Sequence, residues 1–342
     1  MECPSGNSSN SSSLFDSSNS SDITCQKSER YLTIFISVSV IVIVNCIGGN
    51  FLLIRAFCKF SNLRTASNLI LVSLCIADSF IALTFILDII LLALKKGDND
   101  KLMSILCQIN GSLTLCITIV IVLHFALISV ERFIAVKFSL RCHSIMTNRR
   151  ALLASIVLWV STVLVAVVIP QALKLEENGA STGNVKRGLH PCSPARAFKS
   201  LGKYVIFLTT LMVIASLIAL FCHGYIFTVS YKHRKQIRGQ NNFSRAVTLK
   251  EEFKRAGVIF LVVATNLLSF VPLFIFLILR YSKKLPDDNN DQDRNRRRHT
   301  TRLIKRSVYT SAMGLNAICT PIIYGFKNQQ FKTALIRMVK CV

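Results

Sequence analysis

Long apolar segments alternate with short polar links along most of the chain. Each segment is long enough to cross the roughly 30 Å hydrocarbon layer of a membrane as a helix that rises about 1.5 Å per residue. The seven segments are Tyr31–Phe57, Ser67–Leu94, Ser104–Val136, Ala151–Gln171, Lys203–Tyr231, Phe253–Tyr281 and Leu303–Phe326. The pattern predicts an all-α membrane protein in which seven transmembrane helices form a bundle over residues 31–326.

The third segment is predicted to be the central helix. Cys107 and Arg132 are 25 residues apart, which is about 37 Å along a helix and exceeds the thickness of the hydrocarbon layer. A cysteine at one end suits the oxidising outside, whereas Glu131 and Arg132 at the other end suit the cytoplasm. We therefore expect this helix to connect the two sides of the membrane.

Residues 1–30 form a polar flank rich in Ser and Asn. They carry three Asn-x-Ser/Thr triplets, at Asn7, Asn10 and Asn19, and they lack an apolar core of signal-peptide length. We expect a disordered, glycosylated tail outside the cell. The first apolar segment then serves as the membrane-targeting signal.

Residues 327–342 form a second flank with a different pattern. Lys and Arg residues alternate with apolar residues at helical spacing, which are Phe331, Leu335, Ile336 and Val339. This pattern predicts a short amphipathic helix that lies on the inner leaflet, followed by the end of the tail. Cys341 either carries a palmitoyl chain or is a free thiol, and both interpretations stay open.

Composition and charge support a membrane protein rather than a nucleic-acid-binding one. Of the 342 residues, 51% are hydrophobic and 17% are charged, and the net charge is +24. The basic residues lie mostly in short links, where they orient helices with the N-terminus outside. The outer link Ser282–Arg302 is an exception, because it also contains a basic run. We expect a multi-pass protein of the plasma membrane.

Motifs of catalysis and metal binding are missing from the sequence. The twelve cysteines include no Cys-x-x-Cys pair and no His/Cys spacing typical of zinc. There is no Gly-rich phosphate loop and no Gly-x-Ser-x-Gly motif. We expect neither a metal centre nor a cofactor nor an enzymatic activity.

One acidic residue lies near the middle of the second apolar segment. A charge inside a membrane is costly, so Asp78 needs a function or a partner. It is either a cation or proton site, or the centre of a hydrogen-bond hub with Asn50 and Asn316. The two interpretations are compatible and both stay open.

Charged residues also mark the cytoplasmic ends of two segments. Glu131, Arg132 and Glu252 fall at about the same depth. They either tie the third and sixth helices together or are unrelated side chains that reach the interface. Pro272 and Pro321 lie within apolar segments, where proline removes a backbone hydrogen bond and allows a kink.

Together these residues resemble a known family. The order and spacing are similar to those of rhodopsin-like (class A) G-protein-coupled receptors, over about Tyr31 to Cys341. The residues that carry the resemblance are Gly49, Asn50, Asn68, Leu74, Ala77, Asp78, Cys107, Glu131, Arg132, Phe133, Trp159, Tyr225, Ser269, Phe270, Val271, Pro272, Thr320, Pro321, Ile322, Ile323, Tyr324 and Phe331.

The resemblance implies a receptor that binds an extracellular ligand and activates a heterotrimeric G protein. By that resemblance, Arg132 contacts the G protein after the sixth helix swings outward and Arg132 leaves its acidic partners, one of which matches Glu252. It also implies an outer disulfide between Cys107 and Cys192, and arrestin and a receptor kinase as further partners.

The resemblance gives roles to several core residues as well. Tyr225 and Tyr324 match tyrosines that rearrange inward, Phe270 stands where the switch Trp is usual, and Asp78 matches the acid of a sodium site. Ile121 replaces a frequent sodium-binding Ser, which argues against sodium here.

Other positions depart from the family pattern. Phe133 replaces the usual Tyr, and Thr320 replaces Asn or Asp. Thr114 stands where amine receptors carry Asp, which disfavours an ordinary monoamine as ligand. Gly314 stands where opsins carry the retinal Lys, which disfavours a photopigment. The chain looks similar to the adenosine, melanocortin and amine-like groups, and none of these is selected.

Candidates for the ligand pocket come from helical spacing near the outer ends of the spans. They are Asp88, Asn110, Thr114, Thr118 and Phe270. Asp88 contacts either a ligand amine or a basic residue of an outer loop, and both stay open.

Two rival functions also remain open. One is a receptor-like subunit that acts by pairing with another receptor and does not signal itself. The other is a solute or ion transporter, although no internal repeat favours it.

Overall fold

The computed structural model describes residues 15–94, 100–138, 141–168, 202–237, 257, 261, 264, 265, 268, 314–325 and 328–340. These residues form helices and short turns, and the described stretches include no β-strand. The helices are α1 (Phe15–Lys59), α2 (Ala66–Ala93), α3 (Asp100–Lys137), α4 (Cys142–Ile145), α5 (Asn148–Val163), α6 (Gly202–Ile237), α7 (314–325) and α8 (Gln329–Lys340). A 3-10 turn, Ser61–Leu63, precedes α2, and a π turn, Leu164–Val168, extends α5.

Five described helices are long and apolar enough to cross a membrane. They cover Leu32–Lys59, Ala66–Ala93, Ile105–Lys137, Asn148–Val168 and Ile206–Val229. These ranges correspond to the first five predicted spans. Nearly all of the sixth predicted span lies outside the described residues, and the seventh is described as a helix over 314–325.

The helix α3 lies at the centre of the packing. In its most apolar stretch 61% of the residues are buried, against 22% in that of α1. It contacts α2, α5 and α6, and its middle is formed by fully buried residues such as Val120 and Ile121. The expectation of a central third helix agrees with this arrangement.

The links at one end of the bundle are fixed by polar side chains. Thr65 caps α2 by accepting a hydrogen bond from the backbone N–H of Asn68, at 3.4 Å. The Asn148 amide donates to the backbone carbonyl of Arg64 at 3.0 Å, which joins the links before α2 and α5. The Arg150 guanidinium donates to the backbone carbonyls of Ser144 and Ile145, which satisfies the end of α4.

The first helix begins earlier than its apolar segment. It starts at Phe15, so the part of the predicted disordered tail from Phe15 to Arg30 is helical. Once the apolar span has formed a helix, each added residue costs little because it adds one hydrogen bond per residue fixed. The extracellular position of the tail stays a prediction.

The helices α1 and α7 approach each other closely at two glycines. A Cβ atom on Gly49 would lie 2.8 Å from Cγ of Pro321, and one on Gly314 would lie 2.6 Å from a methyl carbon of Val42. Ordinary carbon contacts are about 3.5–4.0 Å, so only glycine fits at these positions without a shift of the helices.

The predicted amphipathic C-terminal helix is confirmed as α8, and one side of it packs against the first helix. Phe331, Ala334 and Met338 are buried and the helix packs against α1, whereas Ile336 is 45% exposed. Positions 331, 334 and 338 share one side of a helix with 3.6 residues per turn, and position 336 lies off that side.

Candidate functional site

We call the end of the bundle that carries Arg132 the basic end. Glu131 is buried there at the last turns of α3, and its Oε1 accepts a hydrogen bond of 2.7 Å from the hydroxyl of Ser67 on α2. The other carboxylate oxygen, Oε2, lies 3.0 Å from Nε of Arg132. This contact is an ion pair without hydrogen-bond geometry, because adjacent residues of a helix do not face each other. Ser67 therefore fixes Glu131, and Glu131 holds Arg132 only by charge.

Aromatic rings connect α3 to α6 beside this ion pair. The rings of Phe133 and Tyr225 meet edge to face with centroids 4.9 Å apart, and Phe221 lies 6.3 Å from Phe133. Lys137 Nζ lies 5.3 Å from the centre of the Phe133 ring, within range of a cation–π contact. A movement of Tyr225 therefore changes the packing of Phe133, the neighbour of Arg132.

A second polar contact joins the same two helices one turn deeper. The Ser129 hydroxyl donates to the Phe125 carbonyl at 2.7 Å and lies 3.1 Å from Nε2 of His223 on α6. Since the Ser129 proton is already used, the imidazole N–H donates to the Ser129 oxygen. Both side chains are buried, so their hydrogen bond fixes the register of α3 against α6.

The seventh helix closes the basic end. Tyr324 is buried at the end of α7, close enough to Arg132 and Glu131 for electrostatic interaction. Its ring packs edge to face against Phe331 of α8, with centroids 6.3 Å apart. The predicted switch residues Glu131, Arg132 and Tyr324 are thus brought together.

The polar residues at mid-depth are all buried, but they are not joined directly. The Asn50 amide donates to the backbone carbonyls of Cys46, at 3.0 Å, and of Ala317, at 3.3 Å, which links α1 to α7. The carboxylate oxygens of Asp78 and the side-chain atoms of Asn316 have no geometric hydrogen-bond partner among the described residues, although Thr320 lies beside Asp78. Of the two open interpretations of Asp78, a hub of direct hydrogen bonds to both asparagines is not formed among the described residues. The Asn50 amide is already occupied by main-chain carbonyls.

A polar chain that sequence reasoning missed joins α2, α3 and α5. The indole N–H of Trp159 donates to the Ser73 oxygen at 3.1 Å, and the Ser73 hydroxyl donates to Nε2 of His124 at 2.9 Å. The other imidazole nitrogen donates to the carbonyl of Val120 at 2.8 Å. Every donor has one acceptor if the imidazole carries its proton on Nδ1, so these polar groups are satisfied within the apolar core.

The opposite end of the bundle carries the predicted pocket residues. The amide of Asn110 on α3 donates to a carboxylate oxygen of Asp88 on α2, and Asn110 is buried. Thr118 is buried and its hydroxyl donates to the carbonyl of Thr114 at 2.7 Å. The structure thus brings Asp88 and Asn110 together as a polar pair between two helices.

Cys107, close to this pair, is disulfide-bonded. The cysteines described as free are Cys46, Cys58, Cys75, Cys116, Cys142, Cys222 and Cys319. The partner of Cys107 therefore belongs to the remaining cysteines, and its pairing with Cys192 stays a prediction.

Several predicted residues are not tested by this geometry. Asn19 falls within α1, and its side chain lies outside the described part. The other predicted residues that lie outside the described part are Asn7, Asn10, Cys192, Glu252, Phe270, Pro272 and Cys341.

Comparison with known proteins supplies the family. Residues 49–324 match the family described as "7 transmembrane receptor (rhodopsin family)". The chain belongs to this family. A member of it is a multi-pass membrane protein with a seven-helix bundle, so the predicted fold class is confirmed.

The relatives in this family are distant. The 5-hydroxytryptamine receptor 2C of Mus musculus is 27% identical over 53% of this chain and 39% of that receptor. The melanocortin receptor 3 of Homo sapiens is 28% identical over 43% of this chain and 45% of that receptor. The growth hormone secretagogue receptor type 1 of Rattus norvegicus is 25% identical over 86% of this chain and 77% of that receptor. The match thus spans less than half the length of the first two receptors.

The residues that sequence reasoning missed share a signal. Ser67, Ser73, His124, Ser129 and His223 are polar residues in apolar segments, and all bond to a side chain of another helix. An imidazole inside a membrane needs a partner, just as a carboxylate does. The two histidines were therefore visible in the sequence as groups that need partners, although the partners themselves were not.

Proposed function

We propose that the chain is a G-protein-coupled receptor of the plasma membrane with its N-terminus outside. It converts the binding of an extracellular ligand into activation of a heterotrimeric G protein at the basic end. The family membership and the basic links at that end support this orientation.

The observation that carries the proposal is the arrangement of Ser67, Glu131 and Arg132. A buried carboxylate fixed by a hydroxyl holds a partly exposed guanidinium at the end of the central helix. The ion pair of Arg132 with Glu131 lacks hydrogen-bond geometry. A modest rearrangement therefore frees Arg132 to bind backbone carbonyls of a partner protein. The guanidinium suits this task because it stays charged and has five donors.

The signal reaches Arg132 through the packing of neighbouring helices. An outward movement of the sixth helix, involving Glu252, Phe270 and Pro272, opens space at the basic end. Tyr225 and Tyr324 then move toward Arg132. A ligand drives this change only as far as it binds the open state better than the closed one.

The ligand carries a cationic group that binds Asp88. The Asp88 carboxylate accepts a hydrogen bond from Asn110, whose own amide oxygen is buried without a hydrogen-bond partner among the described residues. A ligand ammonium bound beside this pair donates to that amide oxygen and is attracted by the carboxylate. The relatives include a receptor named for an amine, 5-hydroxytryptamine. Thr114 stands where amine receptors carry Asp, so we propose Asp88 as the partner of the cation.

Sodium at Asp78 has no place in this mechanism. Ile121 stands where a sodium-binding Ser is frequent, and it is buried and offers no oxygen. Arrestin and a receptor kinase are proposed as further partners because the family uses them.

The test compares the wild type with Arg132→Ala in cells at equal surface expression. Basal and ligand-stimulated activation is measured for every G-protein class, using a library that includes cationic amines and peptides. The control is Arg149→Ala, which removes an exposed cation at the same end. We expect a signal that Arg132→Ala abolishes and Arg149→Ala retains.

Two outcomes contradict the proposal. A signal that persists unchanged in Arg132→Ala removes this residue from coupling. If the protein is present at the cell surface but activates no class of G protein, the non-signalling partner subunit is favoured. A measurement of solute flux then tests the transporter hypothesis.

A further inference from the structure

A groove opens between α1 and α2 on the membrane-facing surface. It has a volume of about 350 Å³ and is lined by Ile47, Phe51, Ile54, Ile76, Ser79 and Phe80. Several of its side chains are exposed, with Phe51 at 56% and Phe80 at 42%. In a membrane these surfaces face lipid, so the groove is open to an acyl chain.

A cation continues one wall of this groove toward the basic end. Ile47, Phe51 and Arg55 follow each other at intervals of four on α1, so they form one row along the helix. Arg55 is exposed and forms no hydrogen bond or ion pair with a described residue. It lies about one turn before the end of α1, at the depth where a lipid headgroup begins.

The two neighbouring cations are engaged differently. Arg64 donates to the carbonyl of Cys58 at 2.7 Å, and Lys59 lies 6.0 Å from the centre of the Phe60 ring. In the described chain the only acid at this end is Glu131, which is paired with Arg132 and Ser67. Arg55 thus has no counter-ion among the described residues, and we take an external anion as its partner.

We propose that this groove binds one anionic phospholipid of the leaflet at the basic end. One acyl chain lies along the groove between Phe51 and Phe80, and the phosphate and acidic headgroup contact Arg55. With the orientation proposed above, this is the cytoplasmic leaflet, which is rich in anionic lipids. The inference uses that orientation and does not depend on coupling to a G protein.

A lipid fits this surface better than a second copy of the chain. A two-fold dimer through α1 and α2 brings Arg55 and Lys59 of both copies to the same depth of one interface, so positive charge accumulates there. A volume of about 350 Å³ is also too small for a helix, whose diameter with side chains is about 10–12 Å.

Headgroup charge and groove shape contribute separately to the binding. Acyl chains already lie in hydrocarbon, so the groove gains nothing from removing them from water and selects by close packing. A basic residue at the surface favours anionic over neutral lipid by about fivefold in affinity. Arg55 is therefore expected to decide headgroup selectivity, and the groove to decide whether a lipid stays bound.

The experiment measures lipids bound to the full-length protein by native mass spectrometry. The protein is purified in mild detergent and titrated with equal amounts of phosphatidylserine and phosphatidylcholine of the same chain composition. The variants are Arg55→Gln, which removes the charge, and Ser79→Leu, which fills the groove. The control for charge is Arg149→Gln, which leaves the row of Ile47, Phe51 and Arg55 intact. The control for shape is Ser79→Ala, which leaves the space of the groove open.

We expect the wild type to retain one phosphatidylserine in preference to phosphatidylcholine. Arg55→Gln should lower that preference about fivefold, Ser79→Leu should lose retention of both lipids, and the two controls should match the wild type. Three results overturn the proposal. The first is equal retention of both lipids by the wild type. The second is an equal loss of the phosphatidylserine preference in Arg149→Gln and Arg55→Gln. The third is a dimer of the wild-type chain that Ser79→Leu converts to a monomer.

Discussion

Replacing Gly49 with alanine tests how closely α1 and α7 approach each other. The new Cβ would lie 2.8 Å from Cγ and 2.9 Å from Cβ of Pro321. Carbon atoms in ordinary contact are separated by about 3.5 Å or more, so the two helices must move apart by at least roughly 0.7 Å. The ring of Pro321 is bonded to its own backbone nitrogen and has no other rotamer that removes the contact.

The magnitude follows from two opposing terms. Overpacking of a close-packed contact costs about 1–3 kcal/mol. Alanine in a helix interior gains about 1 kcal/mol over glycine. A Cβ added at Gly48, the neighbour of Gly49, has no atom within 4 Å. Gly48→Ala is therefore stabilised by the helix term and is not destabilised by overpacking. The difference between the two variants cancels the helix term and equals the packing term, about 1–3 kcal/mol.

The assay is thermal unfolding of the purified protein in detergent, followed by fluorescence of its single tryptophan, Trp159. We expect Gly48→Ala to melt at or above the wild-type temperature and Gly49→Ala to melt below Gly48→Ala. If the two alanine variants melt together, the close approach of Gly49 and Pro321 is refuted. If the close approach is refuted in this way, the two variants should also reach the cell surface at equal levels.

Three further predictions concern side chains that bond across helices. Ser67→Ala should raise basal signalling about tenfold or more. The reason is that Glu131 loses a charge-assisted hydrogen bond of about 1.5–3 kcal/mol that holds the closed state. Unchanged basal signalling at equal surface expression contradicts this prediction. Trp159→Phe should lower the melting temperature slightly, because it removes one hydrogen bond of about 0.6 kcal/mol to Ser73. Unfolding is followed by light scattering, and an unchanged melting temperature would show that this bond does not stabilise the bundle. Asp88→Asn should weaken a cationic agonist at least tenfold in potency while surface expression stays normal, and an unchanged potency would remove Asp88 from the ligand site.

The membrane spans and the family motifs were accessible from sequence because each depends on local order. Apolar length determines which segments cross a membrane, and it gave ranges close to the five described spans. The residue order around Asp78, Arg132 and Pro321 resembled one family, and the family match over residues 49–324 agrees. The charge pattern of the last helix was enough to predict α8.

The contacts between helices were not accessible in this way, because a helix has many faces and the sequence does not say which neighbour each one meets. The pattern of α8 did not indicate that Phe331, Ala334 and Met338 are buried or that this helix packs against α1. The spacing also left open whether Asp78 bonds to Asn50, and the structure shows that the Asn50 amide binds backbone carbonyls instead.

The sequence by itself determined the all-helical membrane fold, the central third helix and the charged residues at its basic end, because hydrophobic length and charge act locally. The tertiary structure decided that Ser67 holds Glu131 and that Asn110 meets Asp88. These pairs join residues far apart in the chain, and only the packing of α2 against α3 brings them within hydrogen-bond distance. That packing depends on the summed shape of many apolar side chains, which no single motif encodes.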